Sequence, residues 1–323
     1  GRMSHDLIQR VFATAFSNPA LDQANDSARL SLPSGRIAVS TDCHIVAPLF
    51  FPGGDIGRLA VCGTVNDVAM SGAVPLYLTA GFILEEGLPI AVLQRVVASM
   101  QAAAQEAGVH IVAGDTKVVE KGKADGLFIT TAGVGWLPED RQIGGELAAA
   151  GDQVLLSGSV GQHGMAVLAA RGELGFQAEI SSDVAPLNGL IQDLLKAAPH
   201  THVLRDPTRG GLATTLNEIA VQSQVSIRID ETAVPILPTV RTVCEMLGFD
   251  PLYVANEGKL IAIVPPDELP AALSALRAHP YGAQAAHIGS VQSQDPGRVL
   301  LRTQIGGTRL LDKLAGEMLP RIC

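Results

Sequence analysis

The sequence predicts an α/β or α+β protein of two domains, and three observations carry that prediction. The chain has 323 residues, and at roughly 150 residues per domain two domains are expected. Strand-like and helix-like stretches alternate through both halves, so each half mixes the two element types. Hydrophobic residues make up 47% of the chain and charged residues 17%, which supports a large core and argues against disorder. Aromatics are only 4%, leaving the core to Val, Ile, Leu and Ala.

Taken in order, residues 6–17 put Leu7, Val11, Ala15 and Phe16 on one face of a short amphipathic helix. Residues 36–41 read as a strand that ends at Asp42. The loop Phe51-Pro52-Gly53-Gly54 opens a helix running to about Gly72, and residues 75–84 are an apolar strand. Pro89 starts a helix carrying Ile90, Leu93, Val96, Val97 and Met100, which Gly108 stops. Residues 109–114 read as a buried strand leading into Asp115-Thr116-Lys117, and residues 127–136 as another. The polar, Gly- and Ala-rich stretch 137–151 is the expected boundary, dividing the chain into domains 1–150 and 151–323, the second ending in a tail, 317–323. Beyond it the pattern restarts: strand 153–157, glycine loop 158–164, helix 165–171, helix 210–220, strands 225–229 and 260–264, helix 269–277.

Composition narrows the function. A net charge of -9 argues against nucleic acid as a main partner, because phosphate binding needs a basic surface. No apolar run reaches the length of a membrane span. The start, Gly1-Arg2-Met3-Ser4-His5, lacks the apolar core of a signal peptide, so a cytoplasmic location is expected. Cys43, Cys62, Cys244 and Cys323 are scattered without zinc-site spacing, and a disulfide framework is implausible in so large a chain.

Asp67 is the only charged residue between Arg58 and Glu85, and it sits in an apolar helical stretch. A buried carboxylate needs a cation, a cationic partner or several hydrogen bonds. It reads either as a cap on a neighbouring element or as a ligand. Asp42 and Asp115 follow strands, where α/β folds collect ligand sites. Three hard oxygen donors without a His or Cys cluster fit Mg²⁺, whose shell a nucleotide's phosphates would complete. Asp26 reads as a turn or helix cap or as a fourth ligand.

No G-x-x-x-x-G-K-[ST] segment occurs, so an ordinary P-loop is excluded. Gly158–Gly164 and the turn Asp206-Pro207-Thr208-Arg209-Gly210-Gly211 both precede helices, where an anion can meet backbone N–H groups. For the first a tight strand-to-helix turn is the more frequent explanation, and in the second Arg209 could bind phosphate, though a surface Arg near a turn is commonplace. Lys117, beside Asp115 and Thr116, is placed to contact phosphate or substrate. The chain ends Met318-Leu319-Pro320-Arg321-Ile322-Cys323. Pro320 stops any helix, so an extended, mobile arm is expected, able to reach roughly 20 Å. A terminal cysteine near Arg321 is exposed, uncrosslinked and biased towards thiolate, which points to a chemical role.

These residues converge on a family. Asp42, Phe51-Pro52-Gly53-Gly54-Asp55-Ile56-Gly57 and Gly63-Thr64-Val65-Asn66-Asp67-Val68-Ala69-Met70-Ser71-Gly72-Ala73 resemble the ATP-binding half of the aminoimidazole ribonucleotide synthetase (PurM-like) superfamily. So do Gly114-Asp115-Thr116-Lys117-Val118-Val119 and Asp206–Gly211. The ending Pro320-Arg321-Ile322-Cys323 is similar to that of its hydrogenase-maturation branch, the HypE family. The resemblance implies two α/β domains with ATP and Mg²⁺ in a cleft beside Asp42, Asp67 and Asp115, and Asn66, Gly114, Thr116, Asp206 and Arg209 at the nucleotide. It implies a homodimer whose N-terminal domains pair their sheets. It also implies that a carbamoyltransferase, HypF, carbamoylates Cys323 and that ATP drives dehydration to a thiocyanate. Cyanide then passes to iron on a HypC–HypD scaffold for [NiFe] hydrogenase. In the family motifs Lys117 and Glu257 belong to the dehydration step, and Glu257 is taken as the base. The family opens on a glycine-rich segment; a chain starting at Gly1-Arg2 is expected to begin inside it, or to open on residues foreign to it, and so to lack a loop covering the nucleotide.

Two other readings remain at this stage. One keeps the superfamily and makes the protein an ATP-dependent synthetase or kinase for a purine precursor, thiamine phosphate or selenide. No cysteine precedes Cys43 to serve a selenide enzyme, and a purine enzyme has no use for Cys323. The other is a non-catalytic adaptor that docks by its tail.

Overall fold

The first half is organised around one helix, α1 (Ile56–Met70). Asp55 caps it, its carboxylate accepting the N–H groups of Gly57 and Arg58 at 2.7 and 3.2 Å. Almost every residue of α1 is buried, because a sheet covers one side and the second half of the chain covers the other. That sheet contains β1 (Arg36–His44), β2 (Val74–Glu85), β3 (His110–Val119) and β4 (Leu127–Leu137), in the order β1-β4-β2-β3. The β2–β3 pair is parallel and the others antiparallel. Helix α2 (Ile90–Ala107) lies beside α1, starts after Pro89 and ends on the left-handed Gly108. The computed structural model describes residues 7–23, 27–172, 179–314, 316, 319 and 322–323.

One face of this sheet buries Leu78, Ala80, Phe82, Leu127 and Ile129 in the core. The other face is open. The register aligns Val39, Val134 and Tyr77 across it, then Cys43, Thr130, Gly81 and Asp115, then Phe128, Ile83 and Lys117. Two strands run further than the sequence indicates. β1 continues through Asp42 to His44 and β3 through Asp115 to Val119, so neither aspartate ends its strand. The reason is tertiary: β4 and β2 keep supplying ladder partners, Asp115 costs little on the open face, and Asp42, on the opposite face, accepts the Thr64 hydroxyl. At the N-terminus the expected helix is a π-type turn, Ile8–Ala13, continued by Thr14–Phe16.

The second half carries β5 (Gln153–Leu156), α3 (Gln162–Ala170), α4 (Asn188–Ala197), β6 (Val203–Arg205), α5 (Gly211–Gln222), β7 (Ser226–Asp230), α6 (Pro238–Leu247), β8 (Ile261–Val264), α7 (Leu269–Ala278), β9 (Ala286–Gln292), β10 (Val299–Arg302) and β11 (Thr308–Leu311). Among the described residues its sheet has the order β11-β10-β7-β9-β5-β8-β6. Both halves are therefore mixed α/β, as the alternating pattern indicates. Helix α3 begins three residues before the expected start, because Gly161 takes a left-handed φ of 87° and releases His163 and Gly164 into the first turn. The halves share core: Ala69 and Met70 of α1 pack with Leu187, Leu190 and Ile191, while Val167, Val184 and Ala255 join the first half's cluster.

Candidate active site between the halves

A cavity of about 680 Å³ separates the two halves. The end of β1 supplies Asp42, Cys43, His44 and Ile45, and α1 supplies Gly63 and Asp67. The turn before α5 supplies Asp206, Thr208, Arg209 and Gly210; the segment Tyr253–Glu257 and the tail close it. The turn can lie this close because Gly211 has a φ of 61°, and a Cβ there would stand 2.6 Å from the Leu252 carbonyl oxygen.

Carboxyl groups crowd this wall. Asp67 accepts the Ser40 hydroxyl at 2.7 Å, and Asp42 accepts the Thr64 hydroxyl at 3.0 Å. Burial, then the charge of Asp42, raises the Asp67 carboxyl above its ordinary range. Burial pushes Asp206 up to about 7, with Asp67 and Asp42 adding to the effect. Glu257 is only 4% exposed, and burial followed by Asp206, Asp183, Asp42 and Asp67 raises it well above its ordinary value. Each group gives the others the same sign of charge, which is the electrostatic signature of a place that favours a cation. Among the described residues no three His, Cys, Asp or Glu side chains form a complete metal donor set.

Glu257 is held rigidly. Its N–H and that of Gly258 donate to the two oxygens of Asp183 at 3.3 Å each. Asp183, 1% exposed, also pairs with Lys259 at 3.0 Å, and the Asn66 side chain donates to the Glu257 carbonyl at 3.3 Å. Asn66, expected beside the nucleotide, uses its amide to brace the two halves: it also donates to Ala185 O at 3.0 Å and accepts Leu187 N–H at 2.7 Å. His44 is another buried polar group that the sequence pattern does not flag. Its Nε2 lies 3.2 Å from the Thr131 hydroxyl, which is 2.6 Å from that of Thr64 and so connects to Asp42. Burial pushes His44 down to about 4, so it is neutral near pH 7.

Asp115 and Lys117 do not join this group within one chain. They pair with each other at 2.7 Å, each side chain 72% exposed, and Lys117 followed by the Thr116 N–H holds the Asp115 carboxyl below its usual range. Gly114, Asp115 and Thr116 line a separate hollow of about 260 Å³ with Ile8, Phe12 and Ser27. Their strand β3 and the Asp42 strand β1 are the two edges of the sheet, roughly 14 Å apart at ~4.8 Å per strand. Asp26 and Arg321 lie outside the described residues.

The tail ends in the cavity rather than away from it. Ile322 is 7% exposed and bridges to Val46 in antiparallel fashion, and Ile45 N–H donates to Cys323 O at 2.9 Å. The expectation of a free arm is thus corrected at its last two residues: an apolar Ile322 side chain is more stable against Val46 and Phe51 in the core than in water.

Fold and cleft together define a two-domain protein of the AIR synthase-related class. Residues 24–137 match the AIR synthase related protein N-terminal domain, and residues 149–302 match its C-terminal domain. The carbamoyl dehydratase HypE of Azotobacter vinelandii is 56% identical over 323 residues, covering 100% of this chain and 95% of that protein. A crystal structure of hydrogenase maturation protein HypE in complex with ATP superposes with a TM-score of 0.96 at 55% identity, over 100% of this chain and 97% of the other. A HypE–HypF complex structure gives 0.84 at 51% identity, over 95% and 99%. The chain belongs to the HypE family of carbamoyl dehydratases.

Proposed function

We propose that this protein uses ATP to dehydrate an S-carbamoyl group on its own Cys323 to a thiocyanate, the source of a cyanide ligand for [NiFe] hydrogenase iron. The observation that carries this reading is the seat of Cys323 in the cavity that also holds Asp42, Asp67, Asp206 and Glu257. In the reaction the carbamoyl oxygen attacks the γ-phosphorus, ADP leaves and the nitrogen loses one proton. The C–O bond of the phosphorylated group then breaks, phosphate departs with the oxygen, and loss of the second N–H proton completes the C≡N bond. Thiocyanate, ADP, phosphate and protons balance the equation.

Glu257 is the group that accepts the nitrogen proton. A carboxyl with a raised pKa is a strong enough base, once ionised, to take it and hold it. Asp42 and Asp67, with Asp206 behind them, fit Mg²⁺, which when bound neutralises phosphate charge. Arg209 and Thr208, at the turn before α5, are placed for the phosphates.

Lys117 and Asp115 complete the site from a second copy of the chain. The open sheet face exposes Ile37 (57%), Val39 (68%) and Ile83 (40%), and Lys117 lies on it. Two such faces laid together bury these side chains and carry the β3 edge of one chain towards the partner's cleft. HypF is the carbamoyl donor and a HypC–HypD complex the cyanide acceptor; because the thiol must meet both, the tail alternates between the docked position and an outward one.

The test is mass spectrometry of the C-terminal peptide after incubation with HypF, carbamoyl phosphate and ATP. A carbamoyl adduct that converts to a cyano adduct only with ATP is expected. A stable carbamoyl adduct in the presence of ATP would overturn the reading.

A further inference from the structure

The imidazole of His163 is wholly buried at the start of α3, outside the carboxyl wall, and the chemistry above does not use it. Its Nδ1 is 2.8 Å from the Ser182 hydroxyl, and that hydroxyl oxygen accepts the Val184 N–H at 3.2 Å. The hydroxyl keeps a second lone pair, so this contact by itself fits either tautomer of the ring. Nε2 makes a short hydrogen bond with the carbonyl oxygen of Ile322, which can only accept. The carbonyl therefore places the hydrogen of the neutral ring on Nε2, and Nδ1 accepts the Ser182 hydroxyl proton. The Phe51 ring stands edge-on at 5.5 Å and 86° and fixes the imidazole plane.

The carbonyl so held belongs to the peptide that joins Ile322 to Cys323. Ile45 holds the next carbonyl, so the backbone on both sides of Cys323 Cα is fixed. The base of α3 is in turn tied to the segment before Glu257: Gly161 N–H donates to Asn256 Oδ1 at 2.7 Å and Gly164 N–H to Ala255 O at 3.2 Å. A Cβ on Gly164 would stand 2.6 Å from Val254 Cγ1 and 3.3 Å from Leu319 Cδ1, so helix, segment and tail approach as closely as the backbone allows. The imidazole and Glu257 consequently ride on one frame. When the tail departs, the buried Nε2–H loses its acceptor, which biases the chain towards the docked state.

We infer that His163 is a positioning residue that latches the docked tail through the Ile322 carbonyl and sets the Cys323 sulfur in register with Glu257. The inference rests on the dehydration reading above, and its experiment separates the two. His163→Leu, His163→Gln and wild type are compared in two assays: the rate at which iodoacetamide alkylates Cys323 in the nucleotide-free protein, and the single-turnover conversion of carbamoylated protein to thiocyanate with ATP. Loss of the donor in His163→Leu is expected to raise alkylation and lower conversion, each roughly tenfold. ATP affinity and melting temperature stay near wild type, and His163→Gln, whose amide N–H replaces Nε2–H, recovers most of both effects. Wild-type rates in both assays for His163→Leu would overturn the latch. So would a glutamine variant indistinguishable from the leucine one, which would assign the ring to packing. If His163→Leu does not fold, His163→Asn, whose shorter amide does not reach the Ile322 carbonyl, decides by the same alkylation ratio: a rise supports the latch and no change overturns it. Should wild type make no thiocyanate, the dehydration reading fails, while the alkylation ratio still upholds or overturns the latch.

Discussion

Asp67, Asp206 and Glu257 hold their protons more tightly than carboxyls in water, and that fact sets what each substitution does. Asp67→Asn removes a carboxylate from the proposed Mg²⁺ set. It is expected to weaken ATP binding by roughly tenfold or more in Mg²⁺ and to leave binding in EDTA little changed; calorimetric titration under both conditions reads this, and equal affinities in Mg²⁺ would remove Asp67 from the metal set. Glu257→Gln and Lys117→Ala should still accept carbamoyl but lose dehydration, Glu257→Gln by on the order of 10²-fold or more. Only ionised Glu257 takes a proton, so the wild-type single-turnover rate should rise with pH through its elevated pKa, and the glutamine variant should lack that rise. Asp67 was legible in the sequence as a lone charge in an apolar helix. Asp183, Lys259 and His44, which hold or neighbour Glu257 and Asp42, were not, because the partners lie 76 residues apart in the ion pair and 87 in the His44–Thr131 contact.

At the scale of elements, the turn before α5 and the tail carry the site. Gly211→Ala would force an L residue to φ 61° and drive its Cβ to 2.6 Å from the Leu252 carbonyl oxygen. A loss of about 1–2 kcal/mol from the left-handed backbone alone is expected, visible as a lower denaturant midpoint, and ATP binding should weaken as Arg209 shifts. Unchanged stability would show that the turn relaxes. Deleting Ile322 and Cys323 should abolish dehydration and leave ATP affinity nearly intact, since the groups proposed for phosphate and metal lie on β1, α1 and the turn; strongly reduced affinity would place the tail in the nucleotide site itself. Helix punctuation was legible locally: Pro89 and Gly108 bracket α2. The ends of β1 and β3 were not, since a strand stops where its neighbour stops supplying hydrogen bonds.

For the whole molecule, pairing of the open sheet face is the central expectation. If the proposed dimer forms, Ile37→Asp combined with Val39→Asp should convert it into a monomer in sedimentation velocity and abolish dehydration without abolishing ATP binding, because Lys117 would then reach no partner cleft. A fully active monomer would overturn that arrangement. Stability should also carry a pH signature. Asp206 titrates at about 7 in the folded chain and at 3.8 by its ordinary value. Between those values the folded form keeps a proton that the unfolded form has lost, so this group's contribution falls as pH rises across the window. His44 acts oppositely, its folded value of about 4 lying below 6.5, so its contribution falls as pH drops through that range. The clean test is therefore a difference: Asp206→Asn should be more stable than wild type at pH 8, with the gain shrinking towards pH 4, in nucleotide-free denaturant melts. A constant difference would assign Asp206 a purely steric role.

The sequence by itself determined the mixed α/β class, the placement of most helices and the candidacy of Asp42, Asp67 and Cys323, while Glu257 came only from the family resemblance. Periodicity, glycine and proline punctuation and motif spacing are local properties, and a chain carries them whether folded or not. Only the tertiary structure decided which of those groups meet. It set Asp42, Asp67, Asp206 and Glu257 around one cavity with Cys323, turned Asn66 into a brace, and left Asp115 and Lys117 on the far edge of an open sheet. Burial and mutual charge then raised the carboxyl pKa values, and these effects depend on distances between residues remote in sequence, which no local pattern encodes.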